Sequence, residues 1–256
     1  GNTTIFIGNF SNEMVGVYSY SGKGWFNDRS ALSKIGRPSF LSLTFGLMLF
    51  DVDMDSDLDL FIGNGHVYPE RTKNQDGVSY KQASQLFLNN GNGVFAIANE
   101  KVSGILNNKM VVRGVAVGDY DNDGDPDLYV TAVRSGNHLF ANDGKGGFED
   151  ISAESGLDYK GHSSGAVFFD YNRDGFLDLF LANVGIYTSE DRVPVSRVLS
   201  ERNTEAEYQY YLGLKDAFFG HLKPERAERS LLYENLDGRR FVEVSEKRGL
   251  VDGGWS

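Results

Sequence analysis

The chain has 256 residues, 40% of them hydrophobic, a formal net charge of −11 and no cysteine. That length supports a substantial core, the absence of cysteine excludes a disulfide framework and thiol chemistry, and no basic stripe is available for nucleic acid. The longest apolar run, FLSLTFGLMLF at 40 to 50, is interrupted by Ser42, Thr44 and Gly46 and falls short of the about 18 residues a membrane-spanning helix needs.

In chain order, a short apolar strand at 5 to 9, IFIGN, precedes a strand, a glycine turn and an aromatic from residue 15, VGVYSYSGKGWF. The run at 40 to 50 then enters an acidic stretch, Asp51 to Asp59, and leaves it in a second apolar strand, LFIGN. The succession returns with SQLFLNNGNGVF from 84, Asp119 to Asp127 and LYVTA. It returns again with NHLFANDGKGGF from 137, GAVFFDY, Asp170 to Asp178 and LFLAN, and SLLYENLDGRRF opens a further copy at 230. Four short strands in about 50 residues per unit predict an all-β fold of β-propeller blades. The units run at about 15–64, 84–133, 137–184 and 230–256, with insertions at about 65–83 and 185–229. Gly22, Gly91, Gly144 and Gly238 fall where tight hairpins need positive φ. Phe26, Phe95, Phe148 and Phe241 recur at one place, as a wedge between blades would.

The acidic stretches read DVDMDSDLD, DYDNDGDPD and DYNRDGFLD. Oxygen-bearing side chains at positions 1, 3, 5 and 9 around a turn suit a hard cation with six to eight oxygen ligands. The candidate side-chain ligands are Asp51, Asp53, Asp55 and Asp59; Asp119, Asp121, Asp123 and Asp127; and Asp170, Asn172, Asp174 and Asp178. The carbonyls of Asp57, Asp125 and Phe176 at position 7 are the backbone candidates. An EF-hand is excluded, because position 12 is Ile62, Val130 or Leu181 instead of Glu, and the flanks are strands. Three calcium sites are therefore expected, Mg2+ being disfavoured because it retains water. The loops hold 13 of the 36 acidic residues, and without them the net charge would be +2, so the acidity is local. Loops on separate blades are expected to act almost additively.

The repeats resemble the FG-GAP or VCBS type of integrin α-chain propellers, and in detail the ASPIC/UnbV, cartilage acidic protein-like propellers. The resemblance rests on NFSNEMVGVYS, GNGHVYPER, GVAVGDYDNDGDPDLYV, SGAVFFDYNRDGFLDLFLANVG and YYLGLKDAFFGHLKPERAERSLLYEN. It departs in Ser56, which replaces Gly at position 6 of the first loop, and in the absence from this chain of the C-terminal domain that names the family. The resemblance implies a calcium-bound propeller, usually exported and engaged in adhesion or other protein contacts. Because IFIGN matches the strand after an acidic loop, and Ser256 aligns just before the Gly of a next hairpin, about four blades of a seven-bladed ring are expected here. The remainder would come from further sequence or a neighbouring chain.

The insertions emerge from one end of the blades and contain GHVYPER and GHLKPER. His66 with Glu70, and His221 with Glu225, read either as ligands for a metal or partner group, or as folded loops whose histidines bond backbone. Residues around 196 to 214 are expected to be partly helical. Gly161, Ser163 and Gly165 spell a nucleophile elbow, but that motif needs a helix after the serine, whereas here a strand follows. His138, opening a strand, reads as a surface or interblade residue. The reading is a calcium-binding extracellular, cell-surface or periplasmic propeller serving adhesion, protein interaction or structure, with a protein or matrix partner. An enzyme or carbohydrate-binding propeller with its site in the inserted loops, and a subunit of a surface filament or sheath, are the alternatives.

Overall fold

The computed structural model describes residues 3–67, 77–98, 108–185 and 228–250. Strands β1 (Thr4–Ile7), β2 (Gly16–Tyr20) and β3 (Phe26–Asp28) form a three-stranded antiparallel sheet. Three four-stranded sheets follow. The second comprises β4 (Thr44–Phe50), β5 (Asp59–Asn64), β6 (Gln85–Asn89) and β7 (Phe95–Ile97). The third comprises β8 (Val112–Gly118), β9 (Asp127–Ala132), β10 (His138–Asn142) and β11 (Phe148–Asp150). The fourth comprises β12 (Ser163–Phe169), β13 (Asp178–Asn183), β14 (Leu231–Asn235) and β15 (Phe241–Glu243). Among the described residues, two single-turn helices, α1 (Gly36–Ser39) and α2 (Ser152–Ser155), sit in the connections. Within each sheet neighbours in sequence are neighbours in space, the meander of a propeller blade.

The sequence repeat and the blade are out of phase. The unit at 84–133 gives β6 and β7 to the second sheet and β8 and β9 to the third. A periodic pattern has no intrinsic start; hydrogen bonding supplies one, at the strand entering each acidic loop.

Alternation along the strands divides each blade between two apolar seams. Leu60 and Ile62 of β5 join Val17, Phe87 and Phe95 between the first and second blades. Phe61, on the opposite face of β5, joins Phe50, Val130 and Phe148 between the second and third. Tyr129, Leu179, Leu181 and Phe241 fill the seam between the third and fourth. Phe95, Phe148 and Phe241 are thus buried wedges, whereas Phe26 on the first blade is exposed. Each entering strand carries the same irregularity, a register shift at Thr44/Gly46, Val112/Gly114 and Ser163/Gly165. Glycine suits it because the next blade presses close: a Cβ on Gly114 would lie 2.8 Å from the Gly165 Cα. Ser163 opens β12 instead of a helix; its hydroxyl donates to Asn183 Oδ1 at 2.8 Å and accepts from Asn137 Nδ2 at 2.9 Å, which makes it a structural serine.

Candidate metal sites at the blade seams

Each acidic stretch links the first two strands of a blade and is folded by its own carboxylates. The position-1 residue accepts from the N–H groups of positions 5 and 6. Asp51 takes Asp55 and Ser56 at 3.0 and 2.8 Å, Asp119 takes Asp123 and Gly124 at 3.1 and 3.2 Å, and Asp170 takes Asp174 and Gly175 at 3.2 and 3.0 Å. Position 5 accepts from position 7 in all three loops. Positions 4 and 6 have left-handed backbones, with φ of 58° and 74° at Met54 and Ser56, 61° and 101° at Asn122 and Gly124, and 63° and 92° at Arg173 and Gly175. Ser56 therefore holds a conformation that suits glycine.

This wrapping brings carboxylates together. Oxygens of Asp51, Asp53 and Asp59 lie within 4.8 Å of one another, as do those of Asp119, Asp121 and Asp127, and either group can hold a metal ion. Asp55 and Asp123 point an oxygen instead at the position-7 N–H. In the third loop the Asn172 amide donates to Asp174 Oδ2 at 2.8 Å, so these two side chains face each other.

Position 9 anchors each loop to the sheet. Asp59, Asp127 and Asp178 are buried, and each accepts one bond from the position-2 N–H (2.9, 3.2 and 3.1 Å) and one from the end of the third strand (2.7, 2.9 and 2.8 Å). Burial pushes the Asp127 carboxyl up to about 8 and that of Asp59 to about 6. The two N–H bonds oppose the rise, and neighbouring carboxylates add to it. Asp125 is likewise pushed up to about 6 by burial and by Asp123, Asp121 and Asp119, and its buried Oδ1 lacks a hydrogen-bond partner. Burial also raises Asp121 and Asp178. These anions are held close in a poorly solvated place, which disfavours the charged form unless a cation accompanies it.

The loops lie at the seams. The position-2 residues Val52 and Tyr120 are buried beneath the next blade, Val52 in the cluster containing Phe148 and Tyr120 with its ring centroid 5.9 Å from that of Phe241. Two asparagines tie the same junctions. Asn142 Nδ2 donates to Pro126 O of its own blade at 3.1 Å and to Val52 O of the previous one at 3.0 Å; Asn235 Nδ2 does the same to Leu177 O at 3.1 Å and Tyr120 O at 2.8 Å. Their sequence signal was an Asn in one place of LFANDG and LYENLDG, with a counterpart, Asn89, in LFLNNG that bonds Leu58 O. Neighbouring loops also touch, since Asn122 Nδ2 donates to Gly175 O at 3.1 Å.

A family model described as FG-GAP-like repeat matches residues 77–130 and 119–181. Residues 77–181 thus match FG-GAP-like repeats. Both matched spans contain the loop at 119–127; the loop at 51–59, with Ser56, lies outside them. The chain is also 34% identical over 93 residues to cartilage acidic protein 1 of Xenopus tropicalis, covering 36% of this chain and 14% of the relative. It is 27% identical over 196 residues, 72% of this chain, to the proteins of the same name in Mus musculus and Homo sapiens, covering 29% and 28% of them. The chain thus spans less than a third of the length of these relatives.

At the other end of the blades the strands are closed by different chemistry. His66 is buried, its ring edge-on to Phe10 with centroids 6.5 Å apart and its N–H donating to Tyr80 O at 2.9 Å. Arg113 reaches from β8 to the carbonyls of Gly65 (3.0 Å) and His66 (3.1 Å), with its guanidinium 4.2 Å above the Phe45 ring. The His66 backbone is thus held in a folded turn. Glu70, His221 and Glu225, and the helix expected near 196 to 214, lie outside the described residues. His138 opens β10 and pairs with Asp150 at 2.8 Å. A pair that sequence reading missed is His162 with Glu228: Nδ1 meets Oε1 at 2.8 Å, and the His162 N–H donates to Oε2 at 2.5 Å. Burial raises the Glu228 carboxyl, but the bonds from His162 prevail and hold it below the usual range. The two residues are 66 positions apart and share no repeat, so no sequence pattern joined them.

Proposed function

We propose that this chain is a calcium-binding β-propeller module that works outside the cytoplasm in protein contacts. The observation carrying the metal assignment is the convergence of three carboxylates in each of two loops, placed where burial penalises their charge. All donors are hard oxygens, and a flexible loop with both side-chain and backbone oxygens fits calcium better than Mg2+. The third loop has the same backbone path, with Asn172 in place of one carboxylate. Calcium would neutralise the clustered charge and hold adjoining blades together; it would have no part in a reaction. The extracytoplasmic setting is supported by relatives named for cartilage and by the calcium concentration such sites require. The partner surface is assigned to the segments inserted after β5 and β13, which leave the blades at the end opposite the acidic loops.

Titration calorimetry with calcium and then with Mg2+, on protein first stripped with chelator, tests the metal. Heat and thermal stabilisation from calcium at concentrations near 1 mM, with little from Mg2+, are expected. An unchanged melting curve in excess chelator would overturn the assignment. Deleting residues 186–227 and rejoining the blade should abolish partner binding while leaving the calcium-dependent melt in place; loss of folding would make the segment structural instead.

A further inference from the structure

The sequence holds three Asn–Gly pairs, Asn64–Gly65, Asn90–Gly91 and Asn92–Gly93. Such a pair is chemically labile, because a following residue without a Cβ leaves its backbone nitrogen free to approach the asparagine side chain. The fold treats the three differently. Asn64 is fully buried: its Oδ1 accepts from Thr44 Oγ1 at 2.8 Å, its Nδ2 donates to Ala83 O at 3.0 Å, and the Gly65 N–H donates to Leu43 O at 3.0 Å. Asn90 and Asn92 are both exposed in the turn between β6 and β7. Asn90 is nevertheless held, since the Gly91 N–H donates to Asn89 Oδ1 at 3.2 Å and Asn90 Oδ1 accepts from the Asn92 N–H at 3.3 Å. At Asn92 both reacting groups are available. Among the described residues its carboxamide makes one long bond, from Nδ2 to Asn90 O at 3.5 Å, and nothing accepts from the Gly93 N–H. This availability belongs to the turn and not to its nearness to the start of the sequence. The corresponding turn of the third blade faces the acidic loop of the second, with a Cβ on Gly146 lying 3.7 Å from that of Asp53. There too Lys145 is exposed, and no described residue accepts from the Gly146 N–H.

We infer that Asn92 is a site of spontaneous deamidation, reacting ahead of Asn90 and Asn64. The Gly93 nitrogen gives up its proton to solvent and attacks Asn92 Cγ. The new N–Cγ bond forms as Cγ–Nδ2 breaks, and Nδ2 takes up a proton and leaves as ammonia. Water then opens the cyclic imide at one of its two carbonyls, leaving aspartate or isoaspartate. Overall one water is consumed and one ammonia released, with no oxidant or enzyme required. Lys23, Lys145 and Arg239 stand at this place in the corresponding turns of the other described blades, so the product puts an anion where those turns carry a cation. The turn also abuts the first acidic loop, since a Cβ on Gly91 would lie 2.8 Å from Asp57 Oδ2. The reaction therefore adds negative charge beside a loop that already has an excess of it.

The test follows the three pairs within one molecule. The 256-residue chain is incubated at mildly alkaline pH, sampled over days and digested, and each pair is read by mass spectrometry with fragmentation that separates aspartate from isoaspartate. Asn92 should convert at least about tenfold faster than Asn90, whose reaction has two hydrogen bonds to break, and Asn64 should stay intact. In denaturant, where those bonds are gone, the three pairs should react at similar rates. Asn92→Gln should remove most of the acidic product that isoelectric focusing detects in the folded chain. Equal rates at Asn90 and Asn92 in the folded protein, or an Asn92 that reacts in denaturant but not when folded, would overturn the proposal. So would an order of rates that persists unchanged in denaturant, because the difference would then come from sequence and not from the fold.

Discussion

The two ends of the blades solve the same problem, how to close a hairpin and fasten it to its neighbour, with opposite electrostatics. At the acidic end, carboxylates wrap backbone N–H groups and crowd one another, so the arrangement has a surplus of negative charge. At the opposite end, Arg113 satisfies carbonyls, and Glu228 meets both the backbone N–H and the ring of His162. On the proposed reading one end is completed by an ion from solution, whereas the polar contacts described at the other are made between groups of the chain itself. Charge surplus in a structural loop, more than acidity as such, is therefore what points to an ion.

The largest expected effect separates the ends by chelation. With dissociation constants of about 0.1–1 mM and about 1–2 mM calcium, each proposed site would add about 0.4–1.8 kcal/mol, and three would add about 1–5. Excess chelator should lower the melting temperature accordingly, and calcium should restore it. The pH dependence should differ in sign between the ends. Carboxyls raised by folding, such as Asp127 at about 8 and Asp59 at about 6, stabilise the folded protein below their unfolded values near 4, and that contribution is lost as pH rises through the folded values. In chelator the melting temperature should thus rise as pH is lowered from about 8 to about 5; a fall over that range would contradict it. Glu228, held low, contributes above its unfolded value near 4.3 and loses that contribution as pH falls through its folded one.

Next in size is Asn142→Ala, which removes both donors at the seam and leaves the carbonyls of Val52 and Pro126 unmet, at a cost of about 1–3 kcal/mol in denaturant titration. Glu228→Gln keeps the shape but gives up the charge-assisted bonds to His162, with an expected loss of about 1–2 kcal/mol that chelator does not change. An equal loss with and without calcium places the pair at the self-contained end; a calcium-dependent loss would dissolve the distinction. The smallest effect is a gain. Ser56→Gly relieves a left-handed non-glycine residue at about 1–2 kcal/mol, partly offset by about 0.5–1 from the freer unfolded chain, so about 0.5–1 should remain.

Much of this was legible in the sequence because repetition amplified weak signals. A single Asp-rich turn is ambiguous, but three at one phase of a repeat located the loops, and the recurrent glycines and phenylalanines located the hairpins and wedges. What repetition could not reveal was the partner of each repeated residue. Asn142 was visible as a recurring Asn, yet its bond to Val52 O spans 90 residues and depends on which blade lies beside which. Phe26 shared the motif of the other wedges but lies exposed, because burial is conferred by a neighbour and not by the motif. The phase of the repeat was likewise hidden until strand pairing fixed it.

The bond from Asn122 to Gly175 changes how the loops should respond to ligand. It joins the turn of one loop to the turn of the next, so ordering one removes some of the freedom the other must lose when it binds. The sites on the third and fourth blades should then fill with positive cooperativity and not independently. Replacing Asn122 with Ala should leave the ligands of both loops in place while flattening the binding curve toward that of separate sites. The rim of acidic turns would in that case answer a change in calcium over a narrower concentration range than a single loop could.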